Sequence, residues 1–320
     1  MQTAPYFADL AEGPEGREAF WLTAADGLRI RAVLWPHAGT EHGGAERCSG
    51  TVFILPGRTE CIEKYGRGAR DLAARGFASL AIDWRGQGIA DRLLTDRSIG
   101  HVGHFPDYQK DLDAVIALAE ARDMPKPWFL IGHSMGGAIG LRALMEGKPF
   151  AAAAFSAPMW GIGLSGLQKA MVRFVAPVLK LLGLDNRRAP GTRAPTYMEW
   201  HGFEDNLLTS DREMFDYMTR QVRAQPDLAL GGPSSHWVIE AVAENDWSRT
   251  QPYPETPALC FVGGDEKIID TAAVRAYASL WPACDYIEIP GARHEIPMER
   301  PETRALFYDR LAAFFAAQAR

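Results

Sequence analysis

Cysteine is scarce in this chain, and its placement excludes two kinds of stabilised scaffold. The four cysteines lie far apart and show neither a CxxC pair nor the spacing of a zinc site: Cys48, Cys61, Cys260 and Cys284. We therefore expect neither a disulfide framework nor a structural zinc centre. Cys260 stands in an apolar run, which predicts a buried, reduced thiol.

Long apolar segments are missing as well. No run approaches the roughly 20 apolar residues that a membrane-spanning helix needs. Residues 1–16 are polar and acidic, without the apolar core of a secretory signal. These absences predict a cytoplasmic protein, which could also lie at the inner face of the membrane.

The chain has no excess of positive charge. Its 34 Lys and Arg stand against 40 Asp and Glu, for a net charge of −6 at pH 7. Without a basic field to gather phosphates, nucleic acid is not expected as a partner. A hydrophobic content of 47% over 320 residues is enough for a sizeable core.

What the chain does contain is an alternation of apolar strands and amphipathic helices. The Asp26-Gly27 turn predicts an antiparallel hairpin. Apolar runs typical of buried parallel strands follow at residues 51–55, 77–82, 128–131, 150–155, 257–262 and 286–289. Together they predict an α/β fold with a mostly parallel sheet of eight strands flanked by helices.

The alternation breaks between residues 160 and 235. A strand-free stretch this long predicts an inserted helical cap at 160–235, between core segments 1–159 and 236–320. An apolar stripe follows Leu167 to Leu182, and a second helix carries Met214, Tyr217 and Met218 on one side. Such stripes fit packing within the cap or the wall of an acyl-chain pocket, and the first could also touch a membrane.

The pentapeptide Gly132-His133-Ser134-Met135-Gly136 spells G-x-S-x-G. It follows an apolar strand and precedes a helix of small residues, which is the setting of the nucleophile elbow of an α/β-hydrolase. Ser134 is therefore the candidate nucleophile. The competing interpretation is an ordinary serine in a glycine-rich turn.

A serine nucleophile needs a general base and a carboxylate to orient that base. Of the three histidines after Ser134, only His294 follows the last predicted strand, where chain order puts the base of an α/β-hydrolase. The carboxylate is expected just after the strand that ends at Val262, and we select Asp265. Asp270 is the competitor, with an N-cap as its alternative role.

Acyl transfer also needs donors for the oxyanion. The backbone N–H of Met135, directly after the nucleophile, is one candidate. Gly57 permits a tight turn after an earlier strand, so the N–H of Arg58 is the natural second donor, although the segment could be a simple turn. Gly57 and His133 are expected to border the substrate.

Two further motifs are weaker. His101 and His104 form HxxH, but no third ligand stands nearby, so a structural or surface role is favoured over a metal site. The segment Asp83 to Gly88 lacks the G-x-G-x-x-G fingerprint and its helix, so it is interpreted as a loop that faces the active site. No metal or organic cofactor is expected.

Several segments together resemble the monoacylglycerol lipase and lysophospholipase branch of the α/β-hydrolases, within the serine aminopeptidase-like hydrolases. The bacterial lysophospholipases of that branch look most similar. The segments are Gly57-Arg58-Thr59-Glu60 with Lys64-Tyr65, Ile82 to Gly88 with Arg92-Leu93-Leu94, Gly100-His101-Val102, Gly132 to Gly137, and Gly291 to Ile296. The cap matches least, and many relatives have His-Gly where this chain has Pro56-Gly57.

The resemblance implies a triad of Ser134, Asp265 and His294, with Arg58 and Met135 as oxyanion donors and the insertion as a cap over an acyl pocket. It implies a serine ester hydrolase acting on a small-molecule single-chain lipid ester. The Arg58 side chain could also meet a phosphate head group, or simply face solvent.

Two other functions stay open. A general carboxylesterase or an aminopeptidase would keep the chemistry, and the latter would hold a substrate amine with acidic cap residues such as Glu199, Glu204, Asp205 and Glu213. A non-catalytic scaffold that binds a ligand is the third hypothesis, but such scaffolds usually lack a triad member.

Overall fold

Nine strands form the one sheet of the residues that the computed structural model describes, 1–37, 48–194 and 196–319. They are β1 (Gln2–Thr3), β2 (Glu18–Thr23), β3 (Arg29–Trp35), β4 (Thr51–Leu55), β5 (Ala78–Asp83), β6 (Trp128–His133), β7 (Ala152–Ser156), β8 (Ala258–Gly263) and β9 (Cys284–Ile289). Most of the loop expected between Pro36 and Gly50 lies outside the described residues, as does Pro195.

The strand order is β1-β2-β3-β5-β4-β6-β7-β8-β9. β2 and β3 form the predicted hairpin, and every pairing from β5 through β4 to β9 is parallel. The mostly parallel sheet is confirmed. We expected eight strands and the sheet has nine, because β1 has two residues and is too short to show a strand pattern in the sequence.

Helices cover both faces of the sheet. They are α1 (Ala8–Ala11), α2 (Gly66–Ala73), α3 (Tyr108–Ala121), α4 (Met135–Met145), α5 (Gly166–Leu181), α6 (Tyr197–Trp200), α7 (Arg212–Ala224), α8 (Ser235–Ser248), α9 (Thr271–Leu280) and α10 (Pro301–Gln318). One core layer lies beneath α3, α4, α8 and α9, and the other beneath α2 and α10. Alternate residues of the central strands therefore enter different layers, as in Phe53 and Ile54 of β4.

Between β7 and β8 the described residues contain helices and loops but no named strand. The stripe on α7 packs inward, and Met214, Tyr217 and Met218 are all buried. The stripe on α5 does the opposite, since Phe174 is 88% exposed and Leu181 86%. Packing within the cap is therefore the wrong interpretation for the Leu167–Leu182 stripe.

Candidate active site

Ser134 sits at the turn between β6 and α4. Its φ of 49° and ψ of −116° are strained for a residue with a side chain, as expected of a nucleophile elbow. The turn requires its flanking glycines, because a Cβ on Gly136 would lie 2.0 Å from the carbonyl oxygen of Leu55. The local sequence therefore holds the Ser134 hydroxyl at the carboxyl end of the central strands.

The carboxylate that contacts His294 is Glu266. His294 Nδ1 lies 2.7 Å from Glu266 Oε2, and the Glu266 side chain is fully buried. Burial alone would raise the Glu266 pKa, but the hydrogen bond from His294 and its nearby charge hold that pKa below its usual range. The pair fixes Nδ1 as the nitrogen that carries the proton towards the carboxylate, leaving Nε2 to act on a substrate.

The prediction that Asp265 orients His294 is wrong, by one residue. Asp265 is exposed, and its backbone N–H donates to the carbonyl of Ala292. Glu266 follows it in the same turn after β8, and its side chain, one methylene longer than that of Asp265, contacts His294. The alternative role of Asp270 is confirmed, since it caps α9 by accepting the N–H of Ala273 at 3.0 Å.

The two expected oxyanion donors lie at the ends of neighbouring strands. Met135 is the first residue of α4, where an N–H has no acceptor within the helix. Arg58 follows β4 between two N–H groups that are already engaged: Gly57 donates to Glu60 and Thr59 donates to Gln87. The donor role itself stays a proposal.

Gln87 holds the loop that carries Arg58. Its side-chain oxygen accepts the N–H of Thr59 at 2.9 Å, and its nitrogen donates to the carbonyl of Gly57 at 3.0 Å. Thr59 has a φ of 67°, which is strained for a β-branched residue. Gln87 therefore clamps a strained turn, a role that the sequence did not assign to it.

A buried cluster of charges adjoins the site. Lys64 Nζ is 2.5 Å from Glu60 Oε1 and 2.6 Å from Glu295 Oε2. His133 Nε2 is 3.1 Å from Glu295 Oε2. Glu60 also accepts the N–H of Gly57, so the cluster joins the Arg58 turn, the elbow and the residue next to His294.

His133 lies between a backbone carbonyl and two carboxylates. Nδ1 faces the carbonyl oxygen of Ser156 at 3.0 Å, and a carbonyl can only accept. Nε2 faces Glu295 and Glu60. Burial lowers the His133 pKa, but these two carboxylates outweigh it and raise the pKa above its usual value.

Glu60, His133 and Glu295 are also the one group of possible metal ligands found in the described ranges. The Lys64 ammonium already lies between the two carboxylates, where a cation would bind. The cluster supplies its own positive charges, and these residues do not suit a metal ion. His133 is buried and is not among the residues that line the described pocket, and its place at the border of the substrate stays a prediction.

Removing the Lys64 charge should destabilise the fold strongly. In Lys64→Met two buried carboxylates would lose the ammonium that they share, and an uncompensated buried charge typically costs about 3–5 kcal/mol. Urea unfolding followed by tryptophan fluorescence measures the change. Lys126→Met is the control, since Lys126 pairs with Glu120 at the surface, with 62% and 56% of their side chains exposed. Equal losses in the two variants would contradict the account.

A pocket of about 280 Å³ joins these parts. Ser134, His294 and Arg58 line it together. Its opposite wall comes from the region between β7 and β8 and is largely apolar: Tyr197, Met198, Leu207, Leu208, Met218 and Val222. The site therefore offers a nucleophile and a base at the mouth of an apolar slot.

The other histidines serve elsewhere. His236 Nδ1 is 2.8 Å from Asp185, and His101 Nδ1 is 2.8 Å from the hydroxyl of Ser234. The side chain of His104 is 71% exposed. The HxxH pair has the structural and surface roles that the sequence favoured.

Comparison with known proteins agrees with this geometry. The family model for serine aminopeptidase, S33, matches residues 46–301. The chain is 32% identical to lysophospholipase L2 of Escherichia coli (strain K12), over 97% of this chain and 92% of that one. It is 24% identical to the monoglyceride lipase of Saccharomyces cerevisiae, over 85% of this chain and 84% of that one.

Solved structures show the same fold. A soluble variant of the Saccharomyces cerevisiae monoglyceride lipase, in complex with a substrate analog, superposes with a TM-score of 0.70 at 18% identity. The match covers 93% of this chain and 94% of that one. A carboxyl esterase from Bacillus coagulans gives a TM-score of 0.71 at 14% identity, over 95% and 99% of the two chains. The chain belongs to the serine aminopeptidase, S33, family of the α/β-hydrolases, and it is an ester hydrolase.

Proposed function

We propose that the protein hydrolyses single-chain lipid esters through a triad of Ser134, His294 and Glu266. One observation carries the proposal: the buried Glu266 holds His294 at 2.7 Å, in the same pocket as a serine on a strained elbow. Glu266 replaces the Asp265 of the sequence-based triad.

The chemistry follows from these positions. His294 takes the proton of Ser134 as the hydroxyl oxygen attacks the ester carbonyl. The N–H groups of Arg58 and Met135 stabilise the tetrahedral oxyanion. The His294 imidazolium, stabilised by Glu266, protonates the leaving alcohol, and water then releases the acid from Ser134 by the same steps.

The pocket wall supports a lipid substrate. Leu207, Leu208, Met218 and Val222 offer an apolar surface to one acyl chain. The similar proteins include a lysophospholipase and a monoglyceride lipase, both of which act on lipids with a single acyl chain. We infer the same substrate class here, with the glycerol head group towards the solvent.

Peptide hydrolysis is less well supported, although the family takes its name from an aminopeptidase. Glu199, Glu204, Asp205 and Glu213 are not among the residues that line the described pocket. Glu213 pairs with Arg67, and Glu199 caps α6. These contacts leave no clear anchor for a substrate amine.

A substrate panel tests the proposal. Purified protein would be offered a lysophosphatidylcholine and a monoacylglycerol with the same acyl chain, a short ester and an aminoacyl naphthylamide. We expect turnover of the lipid esters, with the amide the poorest substrate. Turnover of the amide alone would overturn the proposal.

We further propose that α5 contacts a lipid surface. One side of α5 packs against α8, through Ala176 and the Arg173–Asp246 ion pair. The other side exposes apolar residues at helical spacing: Leu167, Met171, Phe174, Val178 and Leu181. No described helix is long and apolar enough to cross a membrane, so the contact would be peripheral.

Phe174→Asp should release the protein from vesicles. Phe174 lies at the centre of the apolar side, where the lipid would bury its ring. Replacing it with a charge removes that apolar contact and adds a desolvation cost, so co-sedimentation with anionic phospholipid vesicles should weaken about tenfold or more. Leu280→Asp is the matched control, because Leu280 is also exposed (61%) but lies on α9, outside the region between β7 and β8. Equal effects would contradict the proposal, and a dimer that Phe174→Asp dissociates would assign α5 to a second copy of the chain.

A further inference from the structure

Arg58 lines the pocket and carries a positive charge that no described carboxylate compensates. Its guanidinium donates one hydrogen bond within the described part of the chain, from Nη1 to the carbonyl oxygen of Gly231 at 2.9 Å. Among the described residues it forms no ion pair. Its guanidinium carbon lies 5.7 Å from the centre of the Trp237 ring. Burial lowers the Arg58 pKa to about 10, which still leaves it charged at neutral pH.

The other charged groups of the pocket have ion-pair partners. The carboxylates of Glu60 and Glu295 both contact the Lys64 ammonium and lie beside the His133 ring. Arg58 is outside this cluster. Of the charged groups that line the described pocket, Arg58 is therefore the one with no ion-pair partner among the described residues.

A second arginine offers a comparison, because backbone carbonyls accept hydrogen bonds from both of its Nη atoms. Arg92 also lacks a carboxylate partner among the described residues, but its Nη atoms donate to backbone carbonyls of Gly86, Gly88, Asp227 and Ala229. That pattern needs no ligand. Arg58 uses one Nη for a carbonyl and keeps its remaining N–H groups for a partner in the pocket.

The geometry points to Arg58 as the group that binds the phosphate of an anionic single-chain lipid ester. A guanidinium offers two parallel N–H donors that match two phosphate oxygens, and the pair is strong where water is scarce. Its backbone N–H and its side chain would then serve two parts of one substrate, the ester oxygen and the head group. The inference rests on the proposed hydrolase function and deepens it.

The backbones of two glycines contact the Arg58 guanidinium. A Cβ on Gly100 would lie 3.7 Å from Arg58 Nη1, so the side chain runs close beside the Gly100 backbone. Gly231 supplies the carbonyl oxygen that accepts the hydrogen bond of Arg58 Nη1. The guanidinium is thus held between core and cap before a ligand arrives, which lowers the ordering cost of binding.

Two substrates that differ in the phosphate test the inference. The first measurement compares kcat/KM for 1-oleoylglycerol and for 1-oleoylglycerol 3-phosphate. In Arg58→Met the ratio of phosphate-bearing to neutral substrate should fall by roughly 10- to 100-fold, and Arg58→Lys should recover part of it. Arg275→Met, at an exposed site on α9, is the control. An unchanged ratio in Arg58→Met would overturn the inference.

A binding measurement separates this inference from the hydrolase proposal. Dodecyl phosphate is titrated calorimetrically into Ser134→Ala and into the double variant Ser134→Ala with Arg58→Met. Loss of affinity in the double variant supports the Arg58 site even if no phosphate-bearing ester is hydrolysed. Equal affinities, or inorganic phosphate binding as tightly as dodecyl phosphate, would overturn the lipid phosphate assignment. Unfolding temperatures of all variants show that they are folded.

Discussion

Ser134→Ala should lose roughly 10⁴- to 10⁶-fold in kcat for a monoacylglycerol, with KM changed little. The hydroxyl oxygen is the atom that becomes acylated in the proposed mechanism, and no neighbouring group lies on the elbow to replace it. The Ser134 side chain forms no hydrogen bond that caps α4, so the unfolding temperature should stay close to that of the unaltered protein.

The measurement is initial-rate hydrolysis at saturating substrate, with protein freed from host esterases. His294→Ala should fall to a similar level, and the double variant should be no worse than either single one, because the two side chains act as a unit. A Ser134→Ala protein that retains a tenth of the activity would remove Ser134 from the mechanism.

Glu266→Gln should lose roughly 10²- to 10⁴-fold in kcat. Glutamine keeps the shape of the side chain but removes the negative charge that stabilises the His294 imidazolium. Its amide can also turn a donor towards Nδ1, which favours the wrong tautomer. Glu266→Asp keeps the charge on a shorter arm and should recover part of the rate.

Asp265→Asn is the matched control for Glu266→Gln. It removes one negative charge from the adjacent residue, but Asp265 is exposed and its known contact is a backbone one. Its kcat should change by less than about threefold. The opposite ranking, with Asp265→Asn inactive and Glu266→Gln active, would restore the triad that the sequence alone suggested.

The elbow and the base were predictable from sequence because each has a strong local signal. Ser134 stands between an apolar strand and a helix of small residues, and His294 follows the last strand. Both predictions depend on the order of motifs along the chain and on the alternation of strands and helices, which can be identified without knowing where side chains point.

The acid was not predictable to the residue. Asp265 and Glu266 are adjacent, and both types serve as the triad acid in this fold. Which side chain points inward depends on how the turn after β8 is bonded, here by the Asp265 N–H to the carbonyl of Ala292. A pattern of residue types contains no record of that bond.

The outward side of α5 and the buried charge cluster were unpredictable for a related reason. The stripe from Leu167 to Leu182 has the periodicity of a packed helix, and only the placement of α8 decides which side is covered. Glu60 and Lys64 are four residues apart, but Glu295 is distant in sequence, and the fold brings it to the other two.

Location of a fluorophosphonate adduct tests the central claim most directly. The protein is treated with the probe, digested, and the modified peptide is sequenced by mass spectrometry, while the labelling rate is compared between Glu266→Gln and Asp265→Asn. The account predicts one adduct, on Ser134, formed at nearly the unaltered rate in Asp265→Asn and far more slowly in Glu266→Gln. An adduct on another residue, or equal rates in the two variants, would contradict it.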